Sequence, residues 1–501
     1  MKTKNKLFSL LSMLLLLFFL FSCGKDDATG NNGSGEDDSS GAAEAQTSEG
    51  MQTAVPKDLQ FDGAEIRILN CSYYTEDSVF INATEEIGEI VNDEIYKRNS
   101  RVQNDLNVKF KFTDISIMGG ENFNKMVTTA VMAGTDDWDL LIDAQHDCVT
   151  LTMENVLMNL MDAPYIDLSK PWWPDEYIRE IAIGKSNLYF LTGDISMTFV
   201  RNMGCVYFNK ELYANYFGNP DDMYKTVLEG KWTLDKLSEM GRTLYKDLNG
   251  NGEYDDEDQY ASGVLAANLA DHFAFDAGLR ITARDEEGLP YFVINNEKTA
   301  SLTEKLYELY YENEGTRVFP PTNESNNITI PKKFMSNELL FDFGWFYISE
   351  FLRDMKTDYG IIPFPKYDES QPSYLSLAQD IVPFYCIPKT CSKTEAVCAI
   401  LESMAFESHK TVLPAYFEVA LKLKYTRDAT DDAFRIIDII HDNCITDFAY
   451  IYTLSLNRMG DIMRQVMASK SPYFVSTYEK VEPKAQTNLE NLIDAYLQNS
   501  D

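Results

Sequence analysis

The chain has 501 residues and a formal charge of −35, with 79 acidic side chains against 44 basic ones. That balance excludes a nucleic-acid partner, which needs a basic face, and an anionic lipid surface as a binding site; it suits solubility outside the cell. Hydrophobic residues make up 45%, so the body is globular, and its length is about right for two domains.

Lys2, Lys4 and Lys6 precede an almost purely apolar run from Leu7 to Phe21. At about 15 residues the run is short for a spanning helix and right for a secretory segment. It ends in Leu20-Phe21-Ser22-Cys23-Gly24, which resembles a bacterial lipobox. Residues 1–22 are therefore expected to be a lipoprotein signal peptide, with Cys23 the lipidated residue. Loss of three lysines brings the mature charge to −38. The stretch Gly24–Gly50 is Gly, Ser, Ala and acid without a large apolar side chain. It cannot bury enough surface to offset its ordering entropy, so residues 23–56 read as a disordered tether between membrane and body.

The body opens with AEIRILNCSYY, Ala64–Tyr74, dense in apolar and β-branched residues and read as a strand. Val91, Ile95, Val102 and Leu106 recur at near-helical spacing. VKFKFTDI, Val108–Ile115, alternates as a strand does. A helical piece over Phe123–Met132 and a buried strand in Trp138–Asp147 follow. Strand, helix, strand, helix, strand implies a parallel sheet in an α/β domain. Further on, Lys185–Ile195 and Cys205–Tyr213 read as strands, and Trp232–Leu248 and Ser301–Asn313 as helices. Leu339–Met355 reads as a strand turning into a helix at Gly344. Tyr359–Asp368 and Asp380–Thr390 read as strands, Lys393–Ser408 as a helix, and Asp428–Asn499 as helix-rich.

DLNGNGEYDDED, Asp247–Asp258, matches the pattern of a calcium loop. Calcium takes six to eight oxygens, and glycine allows the sharp bend at the sixth position. Asp247, Asn249 and Asn251 would give side-chain oxygens, Glu253 its carbonyl, Asp255 a direct or water-mediated oxygen, and Asp258 the closing carboxylate. The alternative is an Asx-rich surface turn without an ion. The role of a structural Ca2+ here would be to stiffen an excursion, with no water-activating chemistry in view.

There are eight cysteines and no C-x-x-C, and the four histidines are scattered. With Cys23 lipidated, an odd number remains, which fits no complete disulfide framework. They read as small buried residues.

WWPDEYIREIAIGKSNLYFLTGDISM, the Asp-rich loop near residue 250, YGIIPFPKYDESQ and SHKTVLPAYFEVALKLKY together resemble extracellular solute-binding protein family 1, the maltose-binding-protein-like ABC importer lipoproteins. The resemblance implies a periplasmic-binding-protein-like α/β fold: two α/β lobes with a hinge, an interlobe ligand cleft and a helix-rich C-terminus. By analogy one lobe is 57–147 plus 375–425 and the other 150–370 plus 428–501. It implies a non-enzymatic, monomeric protein at the extracytoplasmic face of the cell membrane. Such a protein captures a mono- or oligosaccharide and passes it to the transmembrane subunits of an ABC permease. The 29 Tyr, 29 Phe and 5 Trp supply rings on which sugars stack. Mapped onto that fold, the ligand-binding candidates are Tyr73, Tyr74, Asp147, Trp172, Trp173, Asp194, Trp345 and Tyr416. A surface glycan-binding lipoprotein without a dedicated permease and a lipoprotein glycosidase are the alternatives. No H-E-x-x-H, G-x-S-x-G or G-x-G-x-x-G motif occurs, and no spacing picks out a catalytic carboxylate pair.

Overall fold

Two separate sheets organise the body, and the direction of their strands decides where a ligand can sit. The computed structural model describes residues 51–73, 75–117, 122–417 and 431–498. The predicted signal peptide, Cys23 and the tether up to Gly50 lie outside these residues, as does Tyr74. Among the described residues no helix is long and apolar enough to cross a membrane.

The first sheet is built from β1 (Ala64–Ser72), β2 (Val108–Ser116) and β3 (Leu140–Ala144). Helix α1 (Ile90–Asp105) connects the first two, and α2 (Phe123–Met132) the second and third. The α1 helix starts where the Glu89 carboxylate accepts the Asn92 N–H at 2.8 Å. It buries Val91, Ile95 and Val102, the stripe its spacing predicts. β1 pairs parallel with β2, Ala64 opposite Val108, and with β3, Ile68 opposite Leu140. Every residue of β3 is buried.

The second sheet contains β4 (Gly204–Asn209), β5 (Tyr245–Lys246), β6 (Gln259–Leu265) and, beyond a small ribbon of β7 (Thr282–Arg284) and β8 (Pro290–Phe292), β9 (Thr316–Phe319), β10 (Leu339–Trp345) and β11 (Tyr359–Ile362). β6 lies parallel to both β9 and β10, whereas β4 runs antiparallel to β10 and β11. After β11 the chain forms β12 (Ser376–Leu377) and then β13 (Pro383–Cys386), which returns to the first sheet antiparallel to β3. β12 pairs with β14 (Cys444–Ile445). The end of the chain is helical, with helices at Asp431–Asp442, Ile462–Ala468 and Phe474–Gln498. The mixed α/β architecture read from the sequence is the one observed.

Three local readings are corrected. Lys185–Ile195 makes only single bridges, Ile183 with Asn187 and Leu191 with Tyr385. The chain turns at Gly193, where φ is 143° and a Cβ would lie 2.4 Å from the Trp172 carbonyl oxygen, so only glycine fits. Cys205–Tyr213 is a strand only as far as Asn209. The Asn209 amide oxygen then accepts the N–H groups of Glu211 and Leu212 at 3.0 Å each and starts a helix. The helix over Trp232–Leu248 spans Leu234–Thr243, because Tyr245 and Lys246 pair with Tyr260 and Gln259. The acidic loop therefore joins two antiparallel strands. The seven cysteines among the described residues are free; six are buried and Cys391 is half-buried.

Candidate functional site

Strand polarity brings several loops to one place. The carboxyl ends of β1 and β3 and the amino end of the antiparallel β13 share one edge of the first sheet. The carboxyl ends of β6, β9 and β10 and the amino end of β4 share one edge of the second. Ligands of open α/β sheets bind outside such edges. A cavity of about 670 Å³ lies there, within the range of small-molecule sites. The first sheet contributes Tyr73, Asp77 and His146 to its lining, and the β13 approach contributes Gln379 and Asp380. Arg201, Asn268, the turn Pro321–Asn327, Tyr347 and Phe351 come from the second sheet. Arg458 and Asp461 come from the turn before the Ile462–Ala468 helix, and Arg464 from that helix.

Tyr347 is fixed from several sides. Its ring stacks on Trp345 at 5.6 Å between centroids and 5° between planes, and its edge meets Phe351 at 6.2 Å. Its hydroxyl donates to Asn327 Oδ1 at 3.1 Å and accepts from Asn326 Nδ2 at 3.4 Å. The cleft thus presents aromatic rings beside carboxamides, each of which both donates and accepts hydrogen bonds.

The charges in the wall are paired. Arg201 binds Glu350 through two bonds of 2.9 Å, stands 3.8 Å from Asp77 and lies 3.8 Å over the Phe80 ring. Burial pulls the Arg201 pKa down, but Glu350 outweighs it and the net shift is upward. Arg464 donates to Asp380 at 2.7 Å and to Asp271. Burial pushes the Asp380 carboxyl up, yet Arg464 holds it below its ordinary value.

The sequence candidates fall into three groups. Tyr73 lines the cleft, whereas Tyr74 lies outside the described residues. Asp147 follows the cleft residue His146, with its carboxylate 3.3 Å from His146 Nε2. The remaining five are buried and do not line the cavity. Trp172 and Trp173 are 1% exposed. Trp173 donates its indole N–H to Glu402 at 2.9 Å, and Trp172 packs edge-on against Phe406. Asp194 lies between His409 Nδ1 at 2.6 Å and His441 Nε2 at 3.4 Å. Burial raises its pKa, but the two imidazoles prevail and leave it lowered. Trp345 donates to His272 Nε2 at 2.8 Å and backs Tyr347 from below. Tyr416 is 4% exposed.

Sequence reading passed over Arg201, Tyr347, Asp380 and Arg464. The signal for the Thr322–Asn327 wall is the polar run TNESNN directly after a Pro-Pro pair, a loop rather than a core segment.

The loop Asp247–Asp258 folds around its own oxygens. Asp247 accepts the N–H groups of Gly250 and Gly252 at 2.6 and 2.8 Å, and Asn251 accepts that of Glu253 at 2.7 Å. Asn249 Oδ1 accepts the Asn251 N–H at 2.9 Å. Asp255 accepts from Glu257 N–H and from the amides of Asn249 and Asn251. Asp258 is buried and accepts from Leu248 N–H and the Tyr245 hydroxyl. Gly252 has φ of 75°, as a bend at the sixth position requires. Among the described residues no group of three or more His, Cys, Asp or Glu stands ready for a metal; the carboxylates of Asp247, Asp255 and Asp258 accept hydrogen bonds from within the loop and its flanks.

No protein-family model matches the chain, and no curated protein matches it in sequence. The fold is nevertheless that of the two-lobed ABC solute-binding proteins. A cyclo/maltodextrin-binding protein complexed with maltotetraose superposes with a TM-score of 0.54 at 12% identity, over 88% of this chain and 98% of that one. A solute-binding protein from Thermotoga lettingae bound with α-D-tagatose gives 0.53 at 12% identity, over 86% and 100%. UgpB from Mycobacterium tuberculosis in complex with glycerophosphocholine gives 0.53 at 14% identity, over 85% and 98%. The resemblance read from the sequence therefore holds at the level of the fold.

Proposed function

We propose that this chain is a non-enzymatic, lipid-anchored extracytoplasmic receptor that captures a carbohydrate in the cleft and delivers it to an ABC-type importer. One observation carries the reading. A cavity of about 670 Å³ at the facing edges of two sheets combines Tyr73, Tyr347 and Phe351 with a wall of Asn and Gln carboxamides. Rings stack on sugar C–H faces, and carboxamides match hydroxyls that donate and accept together. Ligand contacts are assigned to Tyr73, Tyr347, Asn326 and Gln379. Asp147 acts from behind, through His146. Closure of the lobes on the ligand shifts a population that the permease reads. Cys23 carries the lipid that keeps the receptor at the cell membrane.

Isothermal titration against mono- to tetrasaccharides tests the reading. Saturable binding without release of product supports it, and turnover of a chromogenic glycoside overturns it. Metabolic labelling with a fatty acid should mark the wild-type chain and spare Cys23→Ala.

We propose further that the loop Asp247–Asp258 holds a structural Ca2+ through Asp247, Asn249, Asn251, the Glu253 carbonyl, Asp255 and Asp258. The oxygen-rich donor set and the glycine at the bend support it. The ion would lock the hairpin between β5 and β6 and take no part in ligand chemistry. Chelation with EDTA should lower the melting temperature of the wild type and leave Asp247→Ala unaffected. An unchanged wild-type melting curve sinks the assignment.

A further inference from the structure

We propose that the cleft selects an uncharged glycan and rejects sugars that carry carboxylate, sulfate or phosphate. The inference rests on the carbohydrate reading above and narrows it. The strongest recognition of an acid group in a buried site comes from a cation whose donors point at the ligand, most often an arginine fork. The described residues lining this cleft include three arginines, His146 and no lysine. Each arginine already serves a carboxylate of the protein, and His146 Nε2 lies 3.3 Å from the Asp147 carboxylate.

Arg201 spends its fork on Glu350, at 2.9 Å twice, and its remaining terminal nitrogen faces Asp77 at 3.8 Å. One face of the guanidinium is covered by Phe80 at 3.8 Å. Arg464 is held by Asp380 at 2.7 Å and by Asp271. Arg458 is the most exposed of the three, but its partner Asp461 is buried. Drawing Arg458 away would leave a buried carboxylate short of a partner, a costly change. Three guanidinium groups therefore face five carboxylates, those of Glu350, Asp77, Asp380, Asp271 and Asp461.

An anionic ligand that recruited one of these arginines would have to break its pair and then sit beside the carboxylate it displaced, and one held by carboxamides alone would still face the wall's carboxylates. The overall charge of −35 adds repulsion at long range. An uncharged sugar meets neither penalty, because its hydroxyls hydrogen-bond to carboxamides and can donate to carboxylates without displacing an arginine. The arginines stiffen the wall and leave recognition to neutral groups.

The test uses matched pairs of di- to tetrasaccharides that differ only in the acid group, such as oligogalacturonides and their carboxyl-reduced galactose counterparts, titrated into the mature protein. Neutral members should bind at least about tenfold more tightly than their acidic partners. Acidic members that bind equally or better overturn the inference while leaving the carbohydrate reading intact. Silence from both members of every pair overturns the carbohydrate reading and the inference with it. Two charge-removing variants probe the cause. Glu350→Gln releases Arg201, and Asp380→Asn releases one side of Arg464; either should narrow the preference for neutral sugars, and the gain for acidic sugars should fade as salt rises. If both variants fold and neither improves binding of any acidic sugar, pre-paired arginines are not the source of the selection.

Discussion

The cleft wall and the layer behind it are made of the same kinds of residue and do opposite work. Tyr347 faces the cleft, while Trp345, two positions earlier and stacked on it, is fully buried with its indole N–H on His272. Asp380, in the wall, is pushed up by burial, yet Arg464 holds its pKa below the ordinary value. Asp342, on the strand that ends in Trp345, is fully buried, and burial alone lifts its pKa to about 8. Exposure to the cleft makes a side chain available to a ligand, and a partner charge sets its titration. Without that exposure, a side chain of the same kind is part of the scaffold, and its cost or benefit appears as stability.

The sharpest way to break this contrast is Trp345→Ala. Removing a buried indole opens a void and strips His272 of its donor, so the chain should lose about 3–5 kcal/mol of stability. Urea unfolding measures it; a loss below about 1 kcal/mol would mean that Trp345 is not packed as described.

Asp342→Asn should act in the other direction. The folded chain holds the Asp342 proton up to about pH 8, whereas the unfolded chain releases it near pH 4. The folded state therefore binds more protons between those values, and stability falls as pH rises through the window. The amide has no charge to lose, so at pH 7 it should gain on the order of 2 kcal/mol, and the slope of stability between about pH 4 and pH 8 should flatten. An equal slope in both proteins would place the responsible group elsewhere.

The smallest effect on the fold belongs to the wall itself. Tyr347→Ala should cost ligand affinity about tenfold, the weight of one aromatic contact, with a much smaller loss of melting temperature than Trp345→Ala. A variant that binds as the wild type does would remove Tyr347 from the site.

The fold was largely legible because its signals are local. The stripe Val91, Ile95, Val102 and the alternation in Val108–Ile115 report elements through spacing alone, and the glycine at position 252 shows the bend in the acidic loop. The site was legible only in part. Tyr73 follows β1 and could be placed by strand order. Trp172, Trp173 and Trp345 attract notice as large rings, yet each is covered by chain from far away, Phe406 and Glu402 for the first two and His272 for the third. Whether an aromatic residue stacks on a sugar or on the core is not a local property.

From its residues alone, the chain commits to alternating strands and helices, to an acidic surface and to an oxygen-rich turn at Asp247–Asp258. Hydrophobic period, charge count and glycine placement act over a few neighbouring positions, so no distant contact is needed to read them. Tertiary structure decided which strand edges meet, and hence that Arg201, Asn326, Asp380 and Arg464 converge on one cleft. Those groups are separated by more than a hundred residues of chain in places, and only the pairing of β13 with β3 and of β6 with β9 and β10 brings their loops together.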